Sequence, residues 1–387
     1  MKLIAAILAA SSLVLAAAEP PPTLAIGSQA PAFALPGTDG KTHRLTDFAA
    51  SRVLVVIFTC NHCPDANAAA PRMAALDARY RDKGVAFVAI SGNHPAAIRP
   101  DELGYSPYDD SFDDMKPFAA ENGWQFPYLY DGDKQDVTTA YGAQATPHVF
   151  VFDETRTLRY TGRMDDNRRK FGPAGKSYLA DAIDALLNGA KVNPETTRPF
   201  GCSTKWIWKR DSVAKDQEKW ESLPVTLETL DAKTAAILRQ NTTAKLRVIN
   251  LWSTTCGPCV SEFPELVETS RRFQNRPVEV VTISLDPIES KPAVLEFLKS
   301  RHAALPAPTA KSLKKESRTS NHYIYQGNPD HLAEAIDPDW QGALPLTVVV
   351  APGGELVWRT NDEVDPFTLR SHIVKWLRQS HAANPDF

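Results

Sequence analysis

Four of the five cysteines in this 387-residue chain form two C-x-x-C pairs, Cys60-Asn61-His62-Cys63 and Cys256-Gly257-Pro258-Cys259. At the start of a helix, thiols three residues apart sit about one turn apart, so they can close into a disulfide and reopen. Such a pair performs thiol–disulfide exchange: one thiolate attacks a disulfide sulfur, and the second thiol releases the mixed disulfide. Free N–H groups and the dipole at a helix N-terminus favour the thiolate. This assigns Cys60 and Cys256 as outward-facing attacking thiols, and Cys63 and Cys259 as inward resolving thiols. His62 is placed to carry a charge that favours the Cys60 thiolate. Far downstream lie Thr146-Pro147 and Leu344-Pro345, each leading into a strand-like run. A cis proline opposite the motif would hold a substrate backbone beside the sulfur, so Thr146, Pro147, Leu344 and Pro345 are candidate substrate contacts. The cysteine pairs need no cofactor and no metal.

Each of these features has a plainer reading. Two C-x-x-C pairs can build a four-thiolate zinc site, but zinc ribbons separate theirs by roughly 15–20 residues, and these pairs lie far apart at separate strand–helix turns. Either pair can be a static disulfide. The prolines can be strand starts. Asp109, Asp110, Asp113 and Asp114 read as a solvated, helix-capping turn rather than a cation site. Cys202, left over in Gly201-Cys202-Ser203, reads as a partly buried thiol, or else as one that pairs with a motif cysteine or a partner chain.

The elements that must position these residues are legible. Arg52–Thr59 and Leu246–Trp252, the runs before the two motifs, are continuous and apolar, as buried parallel strands are. Helices are expected over 64–81, 111–122, 137–141 and 176–187, with Pro64 in a first turn and Ser111 as an N-cap. Leu179, Ile183, Leu186 and Leu187 recur at helical spacing. Further strands are expected over 85–91 and 127–130, with hairpins at Asp39-Gly40 and over 148–161. The second half repeats the order: helix 258–273, strand 278–285, helix 293–301, an irregular stretch over 303–330, a short helix 332–336, strands 346–350 and 355–359 about a Gly353-Gly354 turn, and helix 366–377. Strand–helix–strand crossovers ending in a hairpin and helix form an α/β fold, two tandem thioredoxin-fold domains with a central mixed sheet flanked by helices.

Composition bounds the rest. The length suits two domains, and 43% hydrophobic with 23% charged residues is globular. A net charge of −3, with no basic stripe, speaks against nucleic acid as a partner. Residues 1–18 read as a signal peptide: Lys2, an apolar run to Leu15, then Ala16-Ala17-Ala18. No cysteine stands at the cleavage site, so no lipid anchor is evident; an uncleaved N-terminal anchor stays open. The mature protein is expected to be exported, periplasmic or extracellular, where disulfides persist. Domains are placed at 24–190 and 224–387, with 191–223, which holds Trp206, Trp208 and Trp220, as a junction packed on a domain surface.

The first half resembles the redoxin (AhpC/TSA-like, peroxiredoxin-like) branch of the thioredoxin superfamily. The match runs through Gly27-Ser-Gln-Ala-Pro31, Phe58–Pro64, Asp109–Met115, Pro127–Asp131, Tyr141–Ala143, Thr146-Pro147, Phe150–Asp153, Gly162–Asp166 and Gly201–Ser203. Members of that branch often carry an extra cysteine just before Thr-Pro; Ala145 stands there, so a third redox cysteine at that place is lost. The second half resembles TlpA/ResA-type disulfide reductases, through Trp252–Pro264 and Asp337–Pro345. The resemblance makes Glu262 an active-site proton acceptor for Cys259; the plainer reading is an acid decorating an exposed first turn. Thioredoxin's own buried acid is replaced by Leu54 and Asn250.

The expected function is thiol–disulfide exchange with thiol- or disulfide-containing proteins, a membrane electron donor being a further possible partner. The alternatives are a redoxin-type peroxidase and a non-catalytic binding or chaperone-like module stapled by disulfides. Thr59 directly precedes Cys60, and no proline lies in Arg52–Thr59, unlike the peroxidatic Pro-x-x-x-Thr-x-x-Cys pattern, so weak peroxide turnover is expected. The His62 charge is expected to make the first site the better oxidant, with the second able to pass it electrons.

Overall fold

The computed structural model describes residues 19–383; the expected signal peptide lies outside them. The first half runs β1 (Ala34–Pro36), β2 (Thr42–Arg44), β3 (Val53–Thr59), α1 (Pro64–Tyr80), β4 (Val85–Ser91), α2 (Phe112–Glu121), β5 (Tyr128–Tyr130), α3 (Asp136–Tyr141), β6 (Ala145–Thr146), β7 (His148–Phe152), β8 (Leu158–Gly162) and α4 (Tyr178–Leu187). Then come β9 (Cys202–Ser203) and α5 (Arg210–Glu221). The second half runs β10 (Glu228–Leu230), α6 (Ala232–Gln240), β11 (Leu246–Trp252), α7 (Gly257–Arg272), β12 (Val278–Ser284), α8 (Lys291–Ser300), α9 (Ala307–Leu313), β13 (His322–Tyr325), α10 (Pro329–Ile336), β14 (Leu346–Val350), β15 (Leu356–Thr360) and α11 (Pro366–Ala383).

Two mixed sheets result, ordered β5-β4-β3-β7-β8 and β10-β13-β12-β11-β14-β15. In each, the strand that feeds a C-x-x-C motif lies inside the sheet, parallel to one neighbour and antiparallel to the other. The apolar runs explain this. Every residue of β3 is buried, with Val53, Val55 and Ile57 in one core and Leu54, Val56 and Phe58 in the other. Burying each such side chain contributes roughly 1.5–3 kcal/mol, so β3 is fixed in register and the turn after it is fixed in place. In β11, Leu246 and Val248 face one core and Ile249 and Leu251 the other.

Most expected elements appear within two residues of their expected ends. The stretch over 303–330 is a correction: it contains α9 and β13, and β13 is an interior strand between β10 and β12. His322-Tyr-Ile-Tyr325 is too short and too polar to read as a core strand, and parallel pairing to β12 supplies what the pattern lacks. The segment after α4 turns back onto the first half. Thr196 bridges to Thr161, β9 pairs with β6, and Trp206 is buried.

The halves meet at the last residue of α7. The Arg272 guanidinium is buried and donates to the carbonyls of Leu103 (3.0 Å), Ser106 (2.8 Å) and Tyr108 (3.1 Å), and it pairs with Asp109. Gly104 is needed there, since a Cβ on it would meet the Arg272 carbonyl at 2.6 Å. Tyr108 packs on Phe367, ring centroids 5.0 Å apart.

Candidate functional site

Both motifs sit where a buried strand turns into a helix, and both expected cis bonds, Thr146-Pro147 and Leu344-Pro345, are present. The surroundings differ.

In the second site, Cys256 is the N-cap of α7 and is disulfide-bonded to Cys259, with Cα atoms 5.2 Å apart. Cys256 is partly exposed, Gly257 and Pro258 are exposed, and Cys259 is buried, the orientation expected of an attacking and a resolving sulfur. The preceding turn is held by Thr254, whose N–H and hydroxyl both donate to Asp286. Glu262 is buried rather than decorating an exposed turn. Its carboxylate accepts from Asn250 Nδ2 (2.8 Å) and Val364 N (2.7 Å). Burial raises its pKa, and those two hydrogen bonds only partly offset the rise. Asn250 thus orients the acid that stands near the disulfide. Leu344, half-buried, packs into the core beside Pro345.

The first site overturns three expectations. Cys60 does not face outward: Cys60 and Cys63 are both fully buried free thiols, packed with Ala66 and with Cys202 against them. Nor is His62 a plain surface residue. It is fully buried, and its Nδ1 lies 2.7 Å from Asp110 Oδ2. The 109–114 turn, finally, is not wholly solvated, because Asp110 is buried and is the anchor of the motif. Its Oδ1 accepts from the N–H groups of Asn61 (2.8 Å) and His62 (3.0 Å), and its Oδ2 accepts from Asn93 Nδ2 (2.8 Å). Tyr128 donates to Asn61 Oδ1 at 3.0 Å, and Asn67 Nδ2 donates to the Asn61 carbonyl at 2.7 Å. The polar x-x residues therefore close a network that locks the turn.

This network sets the charges. Burial pulls the His62 imidazolium down, but the charge and hydrogen bond of Asp110 outweigh it and hold His62 above its ordinary value. Burial pushes the Cys60 thiol well up, helped by Cys63 and the Asp110 charge. Burial opposes ionisation of Cys63 too. There, hydrogen bonds from Cys202 and Cys60 and the His62 charge win, so Cys63 lies well below the usual thiol range. The His62 charge thus stands beside the Cys60/Cys63 pair and favours a thiolate there. In its thiol form Cys63 donates to the Thr146 carbonyl at 3.0 Å, and Cys60 donates to Thr146 Oγ1 at 3.2 Å.

Asp110 is the functional neighbour that sequence reasoning missed, whereas Cys202 takes the sharper of its two expected places, against the motif cysteines. Asp110 stands in the Asp109–Met115 motif, yet nothing local links it to the cysteines. Among the described residues, Cys60, His62 and Asp110 offer donor atoms within 4.8 Å of one another, as metal ligands would. The Asp110 oxygens are already engaged by four donors, which favours an organising role. Asp165 pairs with Arg72 on α1, and Asp166 accepts from the N–H groups of Gly175 and Lys176, so this acidic pair braces the loop behind the motif helix.

Comparison with known proteins agrees with the geometry. Residues 25–177 match the Redoxin family and residues 223–359 match the AhpC/TSA family. The chain is similar to the thiol-disulfide oxidoreductase ResA of Geobacillus thermodenitrificans, 29% identical over 143 residues, covering 36% of this chain and 72% of that protein. A solved uncharacterized conserved protein from Geobacillus kaustophilus is 38% identical and covers 47% of this chain and 92% of its own, with a TM-score of 0.42. A hypothetical protein from Sinorhizobium meliloti 1021 is 32% identical and covers 48% and 97%, with a TM-score of 0.43. With a Redoxin match in its first half and an AhpC/TSA match in its second, each containing one C-x-x-C turn opposite a cis proline, the chain belongs to the redoxin and AhpC/TSA group of the thioredoxin superfamily, as a tandem.

Proposed function

We propose that this thiol–disulfide oxidoreductase acts outside the cytoplasm and exchanges disulfides with other proteins through two separate sites. The observation that carries the reading is the second site: a Cys256–Cys259 disulfide at a helix N-terminus, Cys256 partly exposed, Cys259 buried, Pro345 cis. In the reduced state the Cys256 thiolate attacks a substrate disulfide and releases one substrate thiolate. Cys259 then loses its proton, with Glu262 as acceptor, and attacks Cys256, so the second substrate thiolate leaves and the Cys256–Cys259 disulfide re-forms. The sulfurs carry both electrons. The Cys60/Cys63 pair cycles in the same currency within the first half. Export is supported by the apolar run ending at Ala16-Ala17-Ala18; among the described residues no helix is long and apolar enough to cross a membrane.

The test is a Cys259→Ser variant offered extracts of disulfide-containing proteins. Attack through Cys256 should leave mixed disulfides that gel electrophoresis without reductant reveals and dithiothreitol releases. If no adduct forms at Cys256, protein substrates at the second site are ruled out.

A further inference from the structure

The first site has a third thiol. Cys202 reaches it on β9, which pairs antiparallel with β6, Cys202 opposite Thr146 and Ser203 opposite Ala145. The Cys202 N–H donates to Cys63 Sγ at 3.3 Å. Cys202 also packs directly against the buried Cys60, Cys63 and Ala66 cluster, which puts the third thiol beside the pair. The approach is built into the backbone. Gly201 has φ +139°, and a Cβ there would meet the Thr146 carbonyl at 2.0 Å, so only glycine lets this strand close on the cis-proline loop. The strand position beside Pro147, where a substrate backbone would add, is thus filled by the chain's own cysteine-bearing segment. Cys60 and Cys63 are fully buried, whereas Cys202 is partly exposed.

We propose that Cys202 is a redox relay between the buried Cys60/Cys63 pair and solvent, working through a Cys63–Cys202 disulfide. This rests on the reading that Cys60 and Cys63 cycle. Starting from a Cys60–Cys63 disulfide, Cys202 gives up its proton and its thiolate attacks Cys63 Sγ. The Cys60–Cys63 bond breaks, the Cys63–Cys202 bond forms, and Cys60 leaves as a thiolate that takes up a proton. No electrons are gained or lost. The disulfide has moved to a sulfur that an external thiolate can reach. Attack on Cys202 Sγ by a partner dithiol then reduces the site, the partner leaving as a disulfide; oxidation by a partner disulfide runs the same steps backwards. The third cysteine missing at Ala145 is thereby supplied by the adjacent strand.

Two measurements on the full-length chain decide it. A Cys60→Ser variant is oxidised with glutathione disulfide and mapped by mass spectrometry without reduction. A peptide pair joining Cys63 to Cys202 is expected; Cys63 found only as a glutathione adduct overturns the relay. Separately, the oxidised wild type and Cys202→Ser are reduced by dithiothreitol, with free Cys60 and Cys63 followed by rapid alkylation after quenching in denaturant. Reduction of the Cys60–Cys63 bond should slow at least tenfold in Cys202→Ser, while reduction of Cys256–Cys259 keeps its rate as an internal control of folding. Equal Cys60–Cys63 rates sink the relay and leave the cycling of that pair intact. A wild type whose Cys60 and Cys63 never form a disulfide sinks the cycling instead, and the Cys60→Ser map still decides whether Cys63 and Cys202 pair.

Discussion

The two C-x-x-C motifs of this chain both follow a buried strand, yet α7 opens right after Cys256 while α1 opens only after Cys63, and their surroundings are opposite. At Cys256 the dipeptide is small and uncharged, the first sulfur is partly exposed, and the titratable neighbour is a buried acid held by Asn250. At Cys60 the dipeptide carries a buried His62–Asp110 pair, both sulfurs are fully enclosed, and a third thiol lies against them. Strand, turn, helix N-terminus and cis proline make a reactive dithiol possible. What packs over the turn decides which sulfur ionises and what can reach it.

The comparison predicts four differences, taken from the largest. Asp110→Ala strands the His62 charge and leaves the Asn61 and His62 N–H groups unpaired, so it should cost about 3–5 kcal/mol in urea denaturation. An unchanged midpoint would show that the network is not structural. Next, the reduced native protein should react with iodoacetamide about a hundredfold faster at Cys256 than at Cys60, an opening cost of about 3 kcal/mol at the enclosed site. Equal labelling in a mass-spectrometric time course would erase the contrast between the sites.

His62→Ala should make the first site a weaker oxidant, lowering its potential by about 30 mV for each ~1.4 kcal/mol of lost thiolate stabilisation, without moving the second. A glutathione titration read by alkylation at each pair separates the two; a shift shared by both sites would refute the assignment. The smallest effect is in pH dependence. The His62 pKa is raised on folding, so its contribution to stability is full below 6.5 and is lost as pH rises through the folded value. Asp110 is depressed, so its contribution is full above 3.8 and is lost as pH falls through the folded value. Glu262 is raised by burial, so its contribution is full below 4.5 and fades as pH rises through the folded value. Glu262→Gln should flatten stability above pH 4.5, and His62→Ala should flatten it above 6.5. Identical profiles in the two variants would contradict the separate windows.

How legible each site was follows from the same contrast. Continuous apolar runs gave β3, β4, β11, β12 and β14 to within a residue, because buried strands announce themselves by composition alone. The second site's burial order was likewise readable, since Cys256 and Cys259 lie within one strand–helix unit, and the cis prolines were read from the strands they precede. The first site was not. His62 depends on Asp110, 48 residues on, and Cys63 on Cys202, 139 residues on. No periodicity encodes either pairing. Short polar elements such as β10 and α5 also escaped, their positions being set by the sheet edge and the domain surface they cover.

The Arg272 clamp has a consequence for traffic. α7 carries Cys256 at one end and Arg272 at the other, 16 residues that rise about 24 Å. The clamped loop ends at Asp109, next to the residue that anchors His62. On the proposed function the protein is a two-berth carrier, and the clamp holds the berths in one fixed relation, joining the far end of the Cys256 helix to the loop that anchors His62.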